Sequence, residues 1–190
     1  IFTFHDPIVE TRLQNLKHMQ TVPNCYFVSI SNQQRYLTSL KFITTIYNGV
    51  SLSVFNFNQV LEKYAPLLAV GRIVPKKGFA DAIAVARKSR QKLILAGQIY
   101  NDNPEAKAYY EKVIAPQIDG RTVIMEQFIH REHLAGHYQT AKALLFPIKW
   151  DEPFGLVMIE AMACGTPVIA YNRGSVSEIV RDGVTGFIID

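Results

Sequence analysis

From Leu67 onward the chain repeats one pattern, a short apolar run followed by a loop and a helix-forming stretch. The apolar runs predict strands at residues 67–70, 93–96, 122–125, 143–146, 168–170 and 186–189, and the stretches between them predict helices near 77–88, 104–115, 131–141, 155–163 and 176–180. Alternation of this kind means a parallel sheet with helices on both faces. The expected fold class is therefore α/β, a Rossmann-like, doubly wound parallel sheet. In open α/β sheets ligands gather beyond the C-terminal ends of the strands, so the loops that leave these runs carry the candidate chemistry.

Ahead of Leu67 the pattern is looser. Residues 1–4 read as a strand that His5-Asp6-Pro7 leaves at its C-terminal end, 9–19 as a helix before Pro23, 25–30 as a buried strand, 32–40 as a short helix capped by Ser31, and 44–47 as a further strand. Asn48-Gly49 alone would suggest a hairpin turn. The polar and aromatic stretch 53–63 looks like a linker. Nothing before Ile1 initiates the first strand, so the chain is expected to begin inside a domain. Residues 1–62 then form the end of one α/β unit with its linker, and 63–190 form a second.

Hydrophobic residues make up 48% of the chain and charged ones 19%, the balance of a folded protein rather than a disordered or membrane-spanning one. No stretch of about 18 apolar residues suggests a membrane span, and no signal peptide is read at the start. Cys25 and Cys164 make no metal site and only a weak case for a disulfide, so a reducing, cytoplasmic setting is the default expectation. A net charge of +4 suits a phosphate-bearing ligand or peripheral contact with an anionic membrane surface. No Lys/Arg run with interleaved aromatics is present, so no nucleic acid is expected as a partner. Oligomeric state is not legible.

The densest stretch is 151–160, Asp151-Glu152-Pro153-Phe154-Gly155-Leu156-Val157-Met158-Ile159-Glu160. Pro147 and Pro153 bracket a loop, and a helix is expected to start at Phe154 or Gly155 and to end at Gly165-Thr166-Pro167. Free N–H groups near Phe154, Gly155 and Leu156 would form an anion site, with Gly155 allowing close approach of a phosphate. Glu160 has apolar neighbours on every side, and a carboxylate is rarely buried without a partner. It lies about five residues further along, at about 1.5 Å per residue roughly 8 Å from the phosphate position, an offset that suits a ribose. Alternatively it is a neutral core glutamate.

The loop Gly71-Arg72-Ile73-Val74-Pro75-Lys76-Lys77-Gly78 leaves the strand at 67–70 with its cations at the ligand edge. Arg72 can grip a phosphate in a bidentate way and Lys77 supplies a point charge, with Lys76 the weaker candidate; the other reading is a solvated basic loop. The loop lacks the glycine spacing of a P-loop or a dinucleotide fingerprint, which argues against a nucleoside triphosphatase and a dehydrogenase. Phe128 and Ile129 either contact a nucleotide base or belong to the core, His130 in the second case capping the following helix. His133 and His137 have i, i+4 spacing but no His-Glu-x-x-His arrangement and no evident third ligand, so a polar helix face is expected. Asp151 reads as solvated, and Trp150 and Tyr171 either line a pocket or pack. His5, on its own, reads as a surface histidine.

Taken together these residues resemble the family 4 glycosyltransferases, retaining enzymes of GT-B fold. The resemblance rests on the Glu-x7-Glu pair of Glu152 and Glu160 within the EPFGL run, on Glu160-Ala161-Met162-Ala163-Cys164-Gly165-Thr166-Pro167-Val168, on Gly174-Ser175-Val176-Ser177-Glu178-Ile179-Val180, and on Asp182-Gly183-Val184-Thr185-Gly186-Phe187. It covers nearly the whole chain, beginning late in the family's first domain and stopping before its usual final helix.

The resemblance implies a transferase that moves a hexose from a nucleotide-diphosphate sugar, UDP-glucose by family frequency, to an acceptor that is a saccharide, a lipid or a small molecule. It implies that Gly71, Arg72 and Lys77 hold the donor diphosphate, that Glu152 and the Phe154, Gly155 and Leu156 amides face the donor sugar, that Glu160 anchors the ribose, that Phe128 and Ile129 pack on the base, and that His5 reaches toward the sugar. No metal or other cofactor is required on this reading. Ser51 stands where the family usually has aspartate after Asn48-Gly49-Val50, and Ile99 where it often has a second glycine. The rivals are a nucleotide-sugar epimerase or glycogen synthase-like enzyme of the same fold, and a non-catalytic nucleotide-sugar-binding subunit. With the acceptor half largely absent, the 190 residues are expected to bind donor but to transfer poorly without their missing part.

Overall fold

The structure is a computed structural model that describes residues 1–190 apart from 6, 7, 9, 37, 59–61, 101, 128 and 129. Two parallel sheets are present among the described residues. The smaller contains β1 (Phe2–Thr3), β2 (Phe27–Ser29) and β3 (Phe42–Thr45) in that order, with α1 (Glu10–Met19) and α2 (Asn32–Tyr36) between them. Phe27 holds it together, with its ring edge-on to Phe2 and Phe4 and 6.5 Å from Phe42. The third strand starts two residues earlier than its sequence suggests because Phe42, opposite Phe27 in the register, is buried in that aromatic cluster. The short helix ends at Tyr36 rather than 40.

The larger sheet contains β4 (Leu67–Arg72), β5 (Leu93–Gln98), β6 (Val123–Glu126), β7 (Ala143–Phe146), β8 (Val168–Tyr171) and β9 (Gly186–Ile189). Its spatial order is β6-β5-β4-β7-β8-β9, every pair parallel. The chain works outward from β4 to β6, returns to β7 beside β4, and works outward again. That reversal creates a crevice at the strand ends between the two halves, as in other doubly wound sheets.

The two-residue period of the strands distributes their side chains between two cores. Leu67, Ala69, Leu93, Leu95, Ala143 and Leu145 face α3 (Phe79–Ser89), packing on Phe79, Ala82, Ile83 and Ala86. Leu68, Leu144, Phe146, Val168 and Ala170 face α5 (Arg131–Thr140), α6 (Leu156–Ala163) and α7 (Val176–Ile179), packing on Tyr138, Met158, Ala161 and Val176. Phe55, in the stretch that reads as a linker, is fully buried in this second core with its ring 6.0 Å from Tyr138.

Three boundaries depart from expectation for local reasons. Pro75 lacks an N–H and opens only a 3-10 turn, Pro75–Lys77, and Gly78 at φ 72° separates that turn from α3, so the helix begins at Phe79 and not Lys77. The stretch expected as one helix over 104–115 is α4 (Pro104–Tyr109), followed by a π-helical turn at Tyr110–Ile114 and a 3-10 turn at Ala115–Gln117. Gly155 takes φ 81° and caps α6, which starts one residue later. Among the described residues no helix is long and apolar enough to cross a membrane.

Candidate functional site

Because the larger sheet is parallel throughout, the C-terminal ends of its strands share one edge, and the two loops that read as chemical leave β4 and β7 there. They meet. Lys77 Nζ lies 2.5 Å from Glu152 Oε2, and the two side chains are 14% and 12% exposed, shielded from solvent without being sealed from it. The indole N–H of Trp150 donates to the same oxygen at 3.1 Å. Lys76 Nζ sits 3.8 Å from the centre of the Trp150 ring, and Lys77 Nζ 5.2 Å from it and 5.8 Å from the Phe146 ring. The backbone carries the same join, since Lys149 N–H donates to Lys76 O at 2.8 Å.

Glu152 is held from the other side by the loop before α7. Ser175 N–H donates to Glu152 O at 3.0 Å, and Ser175 Oγ donates to Phe154 O at 2.8 Å. Gly174 has φ 57°, and a Cβ on it would lie 2.3 Å from Glu152 N, so any other residue would displace the glutamate's backbone. Gly155 is next to the carboxylate: its Cβ position is 3.4 Å from Glu152 Cγ. The leading N–H groups of α6, which have no partner within the helix, thus begin beside the Lys77–Glu152 pair.

Glu160, in the second turn of α6, is buried at 6% exposure, and the Tyr138 hydroxyl donates to its Oε2 at 3.1 Å. Its sequence context demanded a polar partner, and α5 supplies one. The carboxyl of Glu160 and burial together affect Cys164, one turn on: burial first and Glu160 second push its thiol up to about 11.

Arg72 is the last residue of β4, opposite Gln98, and not part of the loop after it; it is exposed. With Gly71, Gly97, Gln98, His130 and Leu134 it lines a cavity of about 570 Å³ over the ends of β4 and β5. His130 stands at the N-cap position of α5 but makes no capping hydrogen bond with its side chain. Phe128 and Ile129 lie outside the described residues. His5 follows the end of β1 and is exposed, with no hydrogen bond or ion pair among the described residues. His133 and His137 do not converge: His137 Nε2 lies 3.2 Å from Glu126 Oε2, while the His133 ring meets His130 edge-on. Among the described residues no group of three or more His, Cys, Asp or Glu could hold a metal ion.

Two contributors were not singled out from sequence. Tyr138 is a polar-tipped aromatic on the apolar face of α5, a pattern that itself calls for a buried acceptor. Glu178, on α7, accepts from Asn32 N–H at 2.7 Å, Gln33 N–H at 2.5 Å and the Tyr47 hydroxyl at 3.0 Å, joining the small sheet's helix to the large sheet. The Tyr47 ring is in turn 6.1 Å from Phe154, the residue before the α6 cap.

The chain is similar to known proteins in sequence and in fold. The chain is 32% identical over 135 residues to the lipopolysaccharide 1,2-N-acetylglucosaminetransferase of Salmonella typhimurium, covering 67% of this chain and 35% of that protein. It is 34% identical over 140 residues to the D-inositol 3-phosphate glycosyltransferase of Geodermatophilus obscurus, covering 69% of this chain and 31% of that one. Among solved structures, the sucrose-phosphate synthase of Thermosynechococcus elongatus superposes with a TM-score of 0.80 over 98% of this chain and 53% of its own, at 26% identity. Anabaena Alr3699/HepE, in complex with UDP and glucose, has a TM-score of 0.78 over 99% of this chain and 56% of its own; at 20% identity the likeness is one of fold, GT-B. The chain thus spans between about a third and a little over half of these relatives. Residues 54–190, which hold the whole of the large sheet and both glutamates, match the family described as glycosyl transferases group 1, and the chain belongs to that family.

Proposed function

We propose that this chain is the donor-binding half of a retaining hexosyltransferase of family 4, which takes its sugar from a nucleotide-diphosphate donor. The observation that carries the reading is the meeting of Lys77, Glu152 and the α6 N-terminus at one edge of the sheet. Departure of a diphosphate builds negative charge on the leaving group and positive charge on the sugar ring. Lys77, Arg72 and the leading amides of α6 answer the first, and Glu152 answers the second. On this reading Gly71 gives the diphosphate room, Phe154, Gly155 and Leu156 form the backbone wall of the sugar site, Glu160 anchors the ribose, Phe128 and Ile129 lie on the base, and His5 reaches the sugar from the other unit. Fixed cations then do the work of a metal ion, and activity is expected to survive EDTA.

UDP-glucose is the donor we name, in keeping with the UDP and glucose held by HepE. The acceptor is a saccharide, a lipid or a small molecule, and its site belongs mainly to sequence outside these 190 residues. Two free thiols suit a reducing, cytoplasmic compartment.

The test is calorimetric titration of UDP, GDP and ADP, each with its glucose conjugate, into the wild type and Glu160→Ala. Selective binding of the uridine compounds, weakened by Glu160→Ala, is the expected result. Equal binding of all three nucleotides would refute the preference for uridine, and an affinity indifferent to Glu160→Ala would refute the ribose assignment. Analysis of the product's anomeric configuration with the full-length protein tests retention.

A further inference from the structure

Trp150 is the only tryptophan in the chain, and it touches both halves of the charged pair at once. An indole has a negative face and a positive N–H edge, and this one uses both. Its face lies under Lys76 and Lys77, at 3.8 and 5.2 Å from ring centre to ammonium. Its edge donates to Glu152 Oε2 at 3.1 Å, the oxygen that also takes Lys77 at 2.5 Å. Oε2 therefore holds two donors, whereas Oε1 accepts no hydrogen bond among the described residues. Two donors on one oxygen fix the plane of a carboxylate and leave its second oxygen for whatever enters the site. The Glu152 main chain cannot swing to compensate, because Ser175 N–H holds its carbonyl and Gly174 packs on its backbone.

We propose that Trp150 is a positioning residue for the donor sugar: its N–H, together with Lys77, saturates Oε2 of Glu152 and turns Oε1 toward a sugar hydroxyl. The proposal rests on the donor-binding reading above and adds to it a division of labour. Lys77, Arg72 and the α6 amides hold the diphosphate that every nucleotide shares, while the Trp150–Glu152 bond acts only when a sugar is attached. A tryptophan that merely packs would not make that distinction.

Trp150→Phe keeps an aromatic face for the lysines and removes the indole N–H with the rest of its five-membered ring. Titration calorimetry with UDP and with UDP-glucose on the wild type, Trp150→Phe, Glu152→Ala and the double variant reads the consequence. The expected result is a roughly tenfold weaker UDP-glucose affinity in Trp150→Phe, the scale of one hydrogen bond to a charged group, with UDP changed by less than about twofold. In the Glu152→Ala background Trp150→Phe should then change nothing further, as a shared mechanism requires. Equal losses for both ligands, no loss for either, or an undiminished effect without Glu152 would each overturn the proposal.

Failure of the wild type to bind either ligand would overturn it together with the donor-binding reading. The indole N–H resonance, which belongs to Trp150 alone, then tells which premise was at fault. A shift on Glu152→Ala leaves the hydrogen bond standing and the donor reading wrong; no shift means that the bond itself is absent.

Discussion

Removal of a single oxygen, Tyr138→Phe, isolates one interaction of the buried Glu160. The ring can stay where it is, fully buried and 6.0 Å from Phe55, so no cavity larger than the hydroxyl is made. What is lost is the donor 3.1 Å from Glu160 Oε2, in a setting where the glutamate has 6% exposure and little water to replace it. A hydrogen bond to a charged acceptor contributes about 1.5–3 kcal/mol, and a destabilisation of about 2 kcal/mol is expected. For a chain of this size that lowers Tm by roughly 4–8 °C. Urea denaturation should show the midpoint falling with an unchanged slope, since the surface exposed on unfolding is the same. Glu160→Gln in the same cycle should couple to Tyr138→Phe by on the order of 1 kcal/mol, because the two sites share the bond. A stability change under about 0.5 kcal/mol with no coupling would refute a stabilising bond between Tyr138 and Glu160.

Three further outcomes follow from named contacts. Cys164 is fully buried and its thiol is pushed up to about 11, so iodoacetamide on the folded protein near neutral pH should label Cys25 and spare Cys164, as peptide mass spectrometry would show; rapid labelling of both refutes it. Asp119 accepts from the N–H groups of Arg121, Thr122 and Val123 at 2.9, 2.7 and 3.0 Å, and the Val123 and Arg121 bonds lead in holding its carboxyl down at about 2. Its folded value lies below the ordinary one, so its stabilisation is full above about pH 4 and fades as pH falls toward 2. The wild type should therefore lose more Tm than Asp119→Ala between pH 4 and pH 2, and parallel curves would refute this. Glu178→Ala removes the acceptor shared by Asn32, Gln33 and Tyr47, and faster hydrogen exchange at the amides of Asn32 and Gln33 is expected, with the strands of the large sheet unaffected.

The large sheet was legible because each of its strands is a contiguous apolar run, and local sequence suffices for that. The alternation says that the strands are parallel but not which are neighbours, so their order came only from the structure. Legibility failed where the deciding contact is remote. Phe42 joins β3 because it reaches Phe27, 15 residues away, and nothing in Phe42-Ile43-Thr44 says so. Glu160 announced the need for a partner without naming Tyr138, which lies 22 positions earlier. Glu178 stood within a quoted motif, yet its three donors lie more than 130 positions away. Lys77 and Glu152 both read as candidates for the donor site, but nothing in the sequence joins them directly across 75 positions. The apolar run stops at Val70, which by itself puts Arg72 in a loop; pairing with Gln98 on β5 extends the strand two residues past the point where hydrophobicity ends.

The two glutamates are chemically alike and only eight positions apart, yet the helix start between them gives them opposite surroundings, so their substitution must be read differently. Glu152 precedes Pro153 in a loop, with its charge set against Lys77 at a solvent-reachable edge. Glu160 has gone one further turn into α6, where the core closes over it. Glu152→Ala frees an ammonium that water can reach, so folding stability should change little while donor-sugar affinity falls. Glu160→Ala takes an acceptor from the Tyr138 hydroxyl inside the core, with a cost of about 1–3 kcal/mol before any ligand is considered. Loss of nucleotide binding in Glu160→Ala is therefore evidence for a ribose anchor only at a temperature well below that variant's own Tm. If Glu152→Ala proves the more destabilising of the two, the loop glutamate is the structural one and the roles given to the pair are reversed.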